Sequence, residues 1–226
     1  MAGGFRLLVM RRPGRAAENQ VLRVYIEGDG APWPTRFHPP RDPTPLRPVA
    51  LELAAADNSP LVAYLGRPCQ YLDAAELVAC ATAYWTSARF APEVVEAYQQ
   101  ALEHLVSVSG ARQLSLIGYS GGGVLAALLA VRRRDVVGLI TVAAPLRVAA
   151  WTSHHGVTPL DGLDPDTLDG RGPPAVHFAG EKDEIVPVDV IAPHARRAGA
   201  RLAVIPGFDH HCCWVRDWPR LLEETR

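Results

Sequence analysis

The chain lacks the features that mark several classes of protein. Its 23 Lys and Arg residues nearly balance 24 Asp and Glu residues, so the formal net charge is -1. That balance gives no electrostatic reason to expect nucleic acid or an anionic membrane surface as a partner. No apolar run reaches the roughly 20 residues of a membrane-spanning helix, and no internal repeat or low-complexity tail is present. The composition, 48% hydrophobic and 21% charged, predicts one globular domain, 1–226.

The four cysteines do not have the spacing of a zinc site. The sequence as a whole implies neither a metal nor an organic cofactor. A disulfide between Cys69 and Cys80 would indicate an oxidising compartment, and two buried free thiols are the alternative. Adjacent Cys212 and Cys213 are not expected to bond to each other, because neighbouring cysteines seldom reach disulfide geometry.

The N-terminus contains only a short apolar patch at residues 5–10. No small-residue cleavage site follows a long apolar core, so the pattern predicts a first strand rather than a signal peptide. A cytoplasmic location is the default expectation, and a periplasmic or secreted one applies if a leader has been removed. The oligomeric state is left open.

Short apolar runs alternate with helical patterns along the chain, which predicts an α/β fold with a mostly parallel central sheet of about seven strands flanked by helices. The predicted strands are residues 5–10, 21–27, 61–65, 113–117, 136–142, 175–179 and 201–205. The predicted helices are residues 45–56, 92–107, 121–133, 187–198 and 213–224. His177 falls inside a predicted strand, where we expect a hydrogen-bonded core residue.

Two stretches carry no long periodic pattern. Residues 28–44 are rich in Pro, Gly and Arg and predict a long ordered loop. Residues 147–174 contain several Asp, Gly and Pro. Because long loops in compact domains often serve as lids or binding loops, we expect a short lid-like insertion at about 145–174.

The most informative segment is Gly118-Tyr119-Ser120-Gly121-Gly122, a G-x-S-x-G pattern between a predicted strand and a predicted helix. Such a turn pushes the serine hydroxyl out of the sheet, while glycines at 118 and 122 let chain and helix pass closely. A helix beginning at Gly121 would direct its N–H groups toward a developing oxyanion. A glycine-rich turn with a capping serine is the alternative.

A serine nucleophile needs a general base, usually histidine, which a carboxylate orients. With this turn the expected chain order is serine, acid, histidine, each partner following a strand. Asp183 is the predicted acid because it lies at the middle of its turn, and Glu181 and Glu184 are the alternatives. His210 is the predicted base, and His211 is the alternative.

An oxyanion hole requires two N–H donors, which we predict at Gly121 and at Asp29 in the loop after an early strand. A plain glycine turn is the alternative for that loop, which reads Glu27-Gly28-Asp29-Gly30. Acidic groups aimed at an oxyanion would be unfavourable, so Glu27 and Asp29 are expected to face outward or to be paired.

Three aromatic residues, Tyr119, Trp85 and Trp151, are the predicted substrate contacts. Loop packing over the sheet is the alternative for each. Apolar walls with few polar groups suit a small or medium acyl ester.

With these motifs the chain resembles the α/β-hydrolase superfamily over nearly its whole length. The most specific stretches are residues 118–122, 180–183 with Val186-Pro187, and 207–210. The chain is also similar to a little-characterised bacterial group that carries Arg67-Pro68-Cys69-Gln70-Tyr71, Tyr84-Trp85-Thr86 and Cys212-Cys213-Trp214. It departs from many esterases at Glu27-Gly28, where they have His-Gly.

The resemblance implies a serine hydrolase with Ser120 as nucleophile, His210 as base and Asp183 as acid, working through an acyl-enzyme. A carboxylesterase acting on a small-molecule ester is the first expectation. Thioesterase, amidase or peptidase, and acyltransferase activities are alternatives, because fold does not choose among them. A non-catalytic binding module of the same fold is the non-enzyme alternative.

Overall fold

The computed structural model describes residues 1–14, 20–31, 38–168 and 172–225. In these ranges the strands are β1 (Val9–Arg11), β2 (Val21–Ile26), β3 (Val62–Leu65), β4 (Gln113–Tyr119), β5 (Val136–Val142), β6 (Ala175–Gly180) and β7 (Arg201–Ile205). The α-helices are α1 (Val49–Ala56), α2 (Ala74–Val78), α3 (Pro92–Ser109), α4 (Gly121–Ala130), α5 (Val148–His154), α6 (Val188–Ala198) and α7 (Trp214–Glu223). Short 3-10 helices span Thr82–Trp85 and Pro165–Thr167. None of the described helices is long and apolar enough to cross a membrane.

The described strands form one seven-stranded sheet in the order β1-β3-β2-β4-β5-β6-β7. β1 runs antiparallel to β3, and the other neighbouring pairs are parallel. The predicted α/β fold with a mostly parallel sheet is therefore confirmed. Since parallel strands end at the same edge of a sheet, the loops after β2, β4, β6 and β7 all lie at that edge.

Helices cover both faces of the sheet. Buried residues of α3, α4 and α6 pack on one face and buried residues of α1 and α7 on the other. The strand β2 shows the two-residue period that such a sheet requires, because Leu22 and Val24 belong to the first cluster and Tyr25 to the second. The sheet is a rigid support for the loops at its edge.

The prediction of a strand over residues 5–10 is wrong in its bounds. Gly3 and Gly4 have φ values of 54° and 85°, and the backbones of Ala2 and Phe5 form an isolated bridge around them. These left-handed conformations are open to glycine and turn the chain back. Regular pairing begins only at Val9.

Three helical segments also differ from their predicted bounds. The helix α1 begins at Val49 rather than at residue 45, because Pro48 disfavours the helical conformation of the residue before it. The helix α4 ends at Ala130, before the predicted end at residue 133. The helix α5 lies in the stretch predicted to be irregular, and its seven residues are too few for a periodic signal. Within the predicted irregular stretches, residues 32–37 and 169–171 lie outside the described residues.

Both cysteine pairs are bonded in the structure. Cys69 is joined to Cys80, which was one of the two predicted alternatives. Cys212 is joined to Cys213, so the expectation that these neighbours stay apart is wrong. The peptide bond between them is cis and their Cα atoms are 3.1 Å apart, which places the two side chains next to each other.

The histidine inside β6 is only half satisfied. His177 is buried, and its Nδ1 lies 2.8 Å from Thr141 Oγ1. Its Nε2 has no hydrogen-bond partner in the described part of the chain. Burial and the nearby His194 lower the pKa of His177 from 6.5 to about 3. The ring therefore stays neutral in the folded protein at pH values where an unfolded chain would protonate it.

We expect the free energy of unfolding to fall as the pH drops below 6.5. Between pH 6.5 and about 3 the unfolded chain binds a proton at residue 177 that the folded protein does not. This difference in bound protons lowers the free energy of unfolding by about 1.4 kcal/mol for each pH unit of acidification. His177→Gln should make the slope between pH 6.5 and 4.5 shallower, measured by urea unfolding at several pH values.

The control for this prediction is His104→Gln, which changes an exposed histidine on α3. It should leave the slope as in the wild type. The ring of His194 lies against that of His177, and burial lowers the pKa of His194 as well, so His177→Gln should reduce the slope without abolishing it. An unchanged slope in His177→Gln would contradict the assignment.

Candidate active site

Ser120 lies at the turn where β4 ends and α4 begins. Its φ and ψ are 50° and -125°, a region that is costly for a residue with a side chain. Its N–H donates to Val142 O at 2.9 Å, which ties the turn to the neighbouring strand. The strained turn holds the hydroxyl at the edge of the sheet.

The glycines of this turn are required by close packing. A Cβ at Gly118 would overlap the backbone of Gly122, and a Cβ at Gly122 would overlap the carbonyl oxygens of Ile26 and Glu27. A side chain at either position would push α4 away from β2 and β4. The G-x-S-x-G spacing therefore has the steric origin that the sequence predicted.

The structure brings the three predicted residues Ser120, His210 and Asp183 together. Ser120 Oγ lies 3.1 Å from His210 Nε2, and His210 Nδ1 lies 2.9 Å from Asp183 Oδ2. The other carboxylate oxygen of Asp183 accepts hydrogen bonds from Ile185 N at 2.9 Å and Val186 N at 2.7 Å. The Asp183 side chain has no exposed surface, so its orientation is fixed on both sides.

The alternative residues make other contacts. Glu181 Oε2 accepts the N–H of Gly207 at 2.9 Å, which links the loop after β6 to the loop after β7. Glu184 is exposed. His211 Nδ1 lies 3.3 Å from Tyr119 Oη, and burial followed by the charge of His210 lowers the pKa of His211. Among the described side chains, His210 is the one that hydrogen-bonds Ser120.

Side chains hold the backbone of the loop that carries His210. Asp209 Oδ1 accepts the N–H groups of His211 at 2.8 Å and Cys212 at 2.7 Å. Trp214 Nε1 donates to His210 O at 3.1 Å, and Tyr119 Oη donates to the same oxygen at 2.9 Å. These contacts fix the imidazole relative to β4.

The predicted substrate contacts have structural partners. Tyr119 lies beside His210, and the centroids of the two rings are 5.3 Å apart. Trp85 is buried, and its Nε1 donates to Pro40 O at 3.1 Å. Trp151 Nε1 donates to Ile185 O at 2.7 Å, two residues beyond Asp183. Substrate contact by these three residues stays a prediction.

Glu27 is buried beside the loop after β2. Its Oε1 accepts Gly28 N at 2.9 Å and Ala50 N at 3.3 Å, and its Oε2 accepts Tyr64 Oη at 3.1 Å. Burial raises the pKa of this carboxyl. The expectation that Glu27 faces outward or is paired needs correction, because this side chain points inward and has neutral donors instead of a cation.

Asp29 is paired with two arginines. Its Oδ1 lies 2.9 Å from Arg67 Nη1 and its Oδ2 lies 2.7 Å from Arg89 Nη1. Burial works against ionisation, but the charges of Arg89 and Arg67 outweigh it and lower the pKa of Asp29. A Cβ at Gly121 would overlap the Asp29 carboxylate. The two predicted oxyanion donors, Gly121 and Asp29, thus belong to residues in direct contact.

Sequence reasoning missed the role of Gln70 in this arrangement. Its Nε2 donates to Gly28 O at 3.1 Å, and its Oε1 accepts Arg67 N at 3.0 Å. In the sequence, residues 67–71 carry only the similarity to a bacterial group. Its single sequence signal is a glutamine beside a cysteine after a buried strand, which does not predict a contact 42 residues away.

A cavity of about 750 Å³ opens beside His210. Its wall carries three basic and three acidic side chains, Arg47, Lys182, Arg216, Glu52, Glu184 and Asp209. The balance of charge gives no preference for a strongly charged ligand there. Among the described residues, no group of three His, Cys, Asp or Glu side chains could hold a metal ion.

No protein-family model and no curated protein matches the chain. Solved structures do match it. An α/β serine hydrolase homologue from Coxiella burnetii superposes with a TM-score of 0.65 at 18% identity, over 100% of this chain and 92% of that one. Est1E from Butyrivibrio proteoclasticus gives 0.61 at 16% identity, over 98% and 95%.

A proline iminopeptidase-related protein from Thermus thermophilus gives a TM-score of 0.64 at 17% identity, over 100% of this chain and 93% of that chain. At such identities the likeness is one of architecture, and it extends over the whole sheet and its helices. The resemblance drawn from the motifs is confirmed at that level, and the chain has the α/β-hydrolase fold.

Proposed function

We propose that the protein is a serine hydrolase that forms an acyl-enzyme on Ser120. The observation that carries the proposal is the hydrogen-bonded line from Ser120 Oγ through His210 to the buried Asp183. Both distances lie in the range of a working nucleophile, base and orienting acid. A binding module would have no use for this alignment.

The hydrogen bond with Asp183 determines which nitrogen of His210 carries the proton. An ionised carboxylate only accepts hydrogen bonds, so Asp183 Oδ2 holds the Nδ1–H form of the ring. The lone pair of Nε2 then faces the Ser120 hydroxyl and can take its proton. Asp183 is proposed as the orienting acid on this ground.

In the first half of the reaction Ser120 Oγ bonds to the substrate carbonyl carbon, and His210 Nε2 takes the hydroxyl proton. The carbonyl oxygen becomes an oxyanion, which the N–H groups of Gly121 and Asp29 are proposed to bind. The bond to the leaving alcohol breaks as His210 returns the proton to it. A water molecule then repeats the sequence on the acyl-enzyme and releases the acid.

The surroundings of Asp29 favour an oxyanion despite its own charge. Arg67 and Arg89 carry two positive charges against one carboxylate. The cluster therefore has a net positive charge beside the first residue of α4, where the N-terminal N–H groups also attract negative charge. This positive charge supports an oxyanion site here, although the loop lacks the His-Gly sequence of many esterases.

A carboxylic ester of small or medium acyl chain is the proposed substrate. Two of the similar structures are those of Est1E, one of them with ferulic acid bound. Tyr119, Trp85 and Trp151 are the proposed contacts. Residues 1–226 are proposed to form one domain.

The insertion at about 145–174 is proposed to cover the acid side of the site. Trp151 Nε1 and His155 Nε2 both lie within hydrogen-bond distance of Ile185 O, at 2.7 and 2.8 Å. The helix α5 is thereby attached to the loop that carries Asp183. A short cover of this kind leaves the base side open to a small-molecule substrate.

The test of the proposed function is labelling with a fluorophosphonate, read by intact mass and peptide mapping. We expect one label per chain, on Ser120. Nitrophenyl esters of increasing acyl length, matched thioesters and anilides should then identify the cleaved bond. A folded protein that takes up no label would contradict the proposal and favour a binding role.

A further inference from the structure

The loop after β2, which contains Asp29, is held by side chains of another loop. Gln70 Nε2 donates to Gly28 O at 3.1 Å, and Arg67 Nη1 donates to Asp29 Oδ1 at 2.9 Å. Both side chains come from the loop that follows β3. Two consecutive residues of one loop are thus fixed by two residues of another.

The contact with Gly28 O has a consequence for the next N–H group. In a trans peptide the carbonyl of one residue and the N–H of the next lie in one plane and point in opposite directions. The donor on Gln70 therefore determines the direction of the Asp29 N–H, which points away from Gln70. A Cβ at Gly28 would lie 3.5 Å from Ser120 Cβ, so this peptide runs alongside the serine.

Gln70 is itself firmly placed. It is 1% exposed, and its Oε1 accepts the N–H of Arg67 at 3.0 Å. Its neighbours Cys69 and Tyr71 have φ values of 68° and 59°, a conformation that persists only where the surroundings enforce it. The disulfide to Cys80 holds one neighbour, and a hydrogen bond of 2.7 Å from Tyr71 N to Thr44 Oγ1 holds the other.

The opposing loop is shaped to receive this side chain. A Cβ at Gly30 would lie 2.7 Å from Gln70 Nε2 and would overlap Pro43 O, and Gly30 has a φ of 98°. No residue with a side chain fits there without displacing the glutamine. The absence of a side chain at Gly30 thus leaves the space in which Gln70 Nε2 reaches the Gly28–Asp29 peptide.

We propose that Gln70 is a positioning residue, which directs the Asp29 N–H into the oxyanion hole through its hydrogen bond to Gly28 O. The inference rests on the proposed function and deepens it. Gln70 touches no reacting atom. It acts by fixing one peptide plane, with Arg67 holding the adjoining carboxylate.

The test removes the hydrogen-bond donor of Gln70 and keeps the shape of its side chain. Gln70→Glu retains an oxygen that can accept Arg67 N and puts a carboxylate oxygen in place of the Nε2 donor. Loss of one oxyanion donor lowers kcat by about 10²- to 10³-fold, and we expect about 10²-fold here, with KM within about twofold because the ground-state ester does not need this peptide. The inhibition constant of phenylboronic acid, which forms a tetrahedral anion on serine, should rise by a similar factor.

The matched control is Tyr98→Phe. The Tyr98 hydroxyl donates to Gly66 O at 2.7 Å from a buried position, so this variant also removes one buried bond to a carbonyl of the loop after β3. It leaves the Gly28–Asp29 peptide untouched. We expect a lower Tm, with kcat and the phenylboronic acid constant within about threefold of the wild type.

The outcomes separate the two proposals. If Gln70→Glu and Tyr98→Phe lose similar stability and neither loses boronic acid affinity, Gln70 is structural only and the inference is wrong. If kcat falls without the parallel loss of affinity, the inference is also wrong. If the wild type takes up no fluorophosphonate, the proposed function fails and the inference fails with it.

Discussion

His210→Ala is expected to lower kcat by about 10⁶-fold, as removal of a catalytic histidine does in a serine protease. The reason is that His210 Nε2, 3.1 Å from Ser120 Oγ, is the proposed base for the serine proton. Ser120→Ala should lose as much, and the double variant should be no worse, because residues that act as a unit are not additive. Turnover of the best nitrophenyl ester and the rate of fluorophosphonate labelling measure the effect.

The neighbouring histidine supplies the control. His211→Ala changes the same loop and removes a contact with Tyr119, but it leaves His210 bonded to Ser120 and Asp183. We expect a kcat within about tenfold of the wild type. A His211→Ala variant that loses activity while His210→Ala retains it would reverse the assignment of the base.

The sequence predicted those features whose cause is local. The strand, turn and helix around Ser120 follow from an apolar run, two glycines that the packing requires, and a helical pattern that begins at Gly121. Strand β5 was predicted at its observed bounds, Val136–Val142. Such features need only neighbouring residues, and one sequence contains them.

The choice among Asp183, Glu181 and Glu184 required the tertiary structure. Locally, only the position in the turn separates the three carboxylates. In the folded chain Asp183 points inward, because Ile185 N and Val186 N bind one of its oxygens and His210 the other. The sequence favoured Asp183 by its position in the turn and could not supply these contacts.

The cluster around Asp29 was beyond prediction for a different reason. Arg67 and Arg89 are 38 and 60 residues from Asp29 along the chain. They meet it because β2 and β3 are adjacent in the sheet and the loops after both strands lie at the same edge. Both arginines pair with Asp29 in the structure, and no local pattern in the sequence indicates those pairs.

Asp183→Asn is expected to lower kcat by about 10⁴-fold with little loss of stability, as the same change does in a serine protease triad. The oxygen that accepts Ile185 N and Val186 N must remain an oxygen, since a donor there would face two donors. The amide nitrogen then faces His210 Nδ1 and donates to it. Nδ1 becomes an acceptor and Nε2 carries the proton, so the ring presents a donor to Ser120 instead of a base.

Glu181→Gln and Glu184→Gln are the matched controls, because each makes the same chemical change in the same turn. Glu184 is exposed, and Glu181 only joins the loop after β6 to Gly207 N. Both variants should keep kcat within about threefold of the wild type, with a small fall in Tm for Glu181→Gln. Equal losses in all three variants would mean that the turn needs its negative charge rather than one oriented carboxylate. The expected loss comes from the moved proton, so the Nε2–H form in Asp183→Asn should also be visible in the ¹⁵N spectrum of the His210 ring.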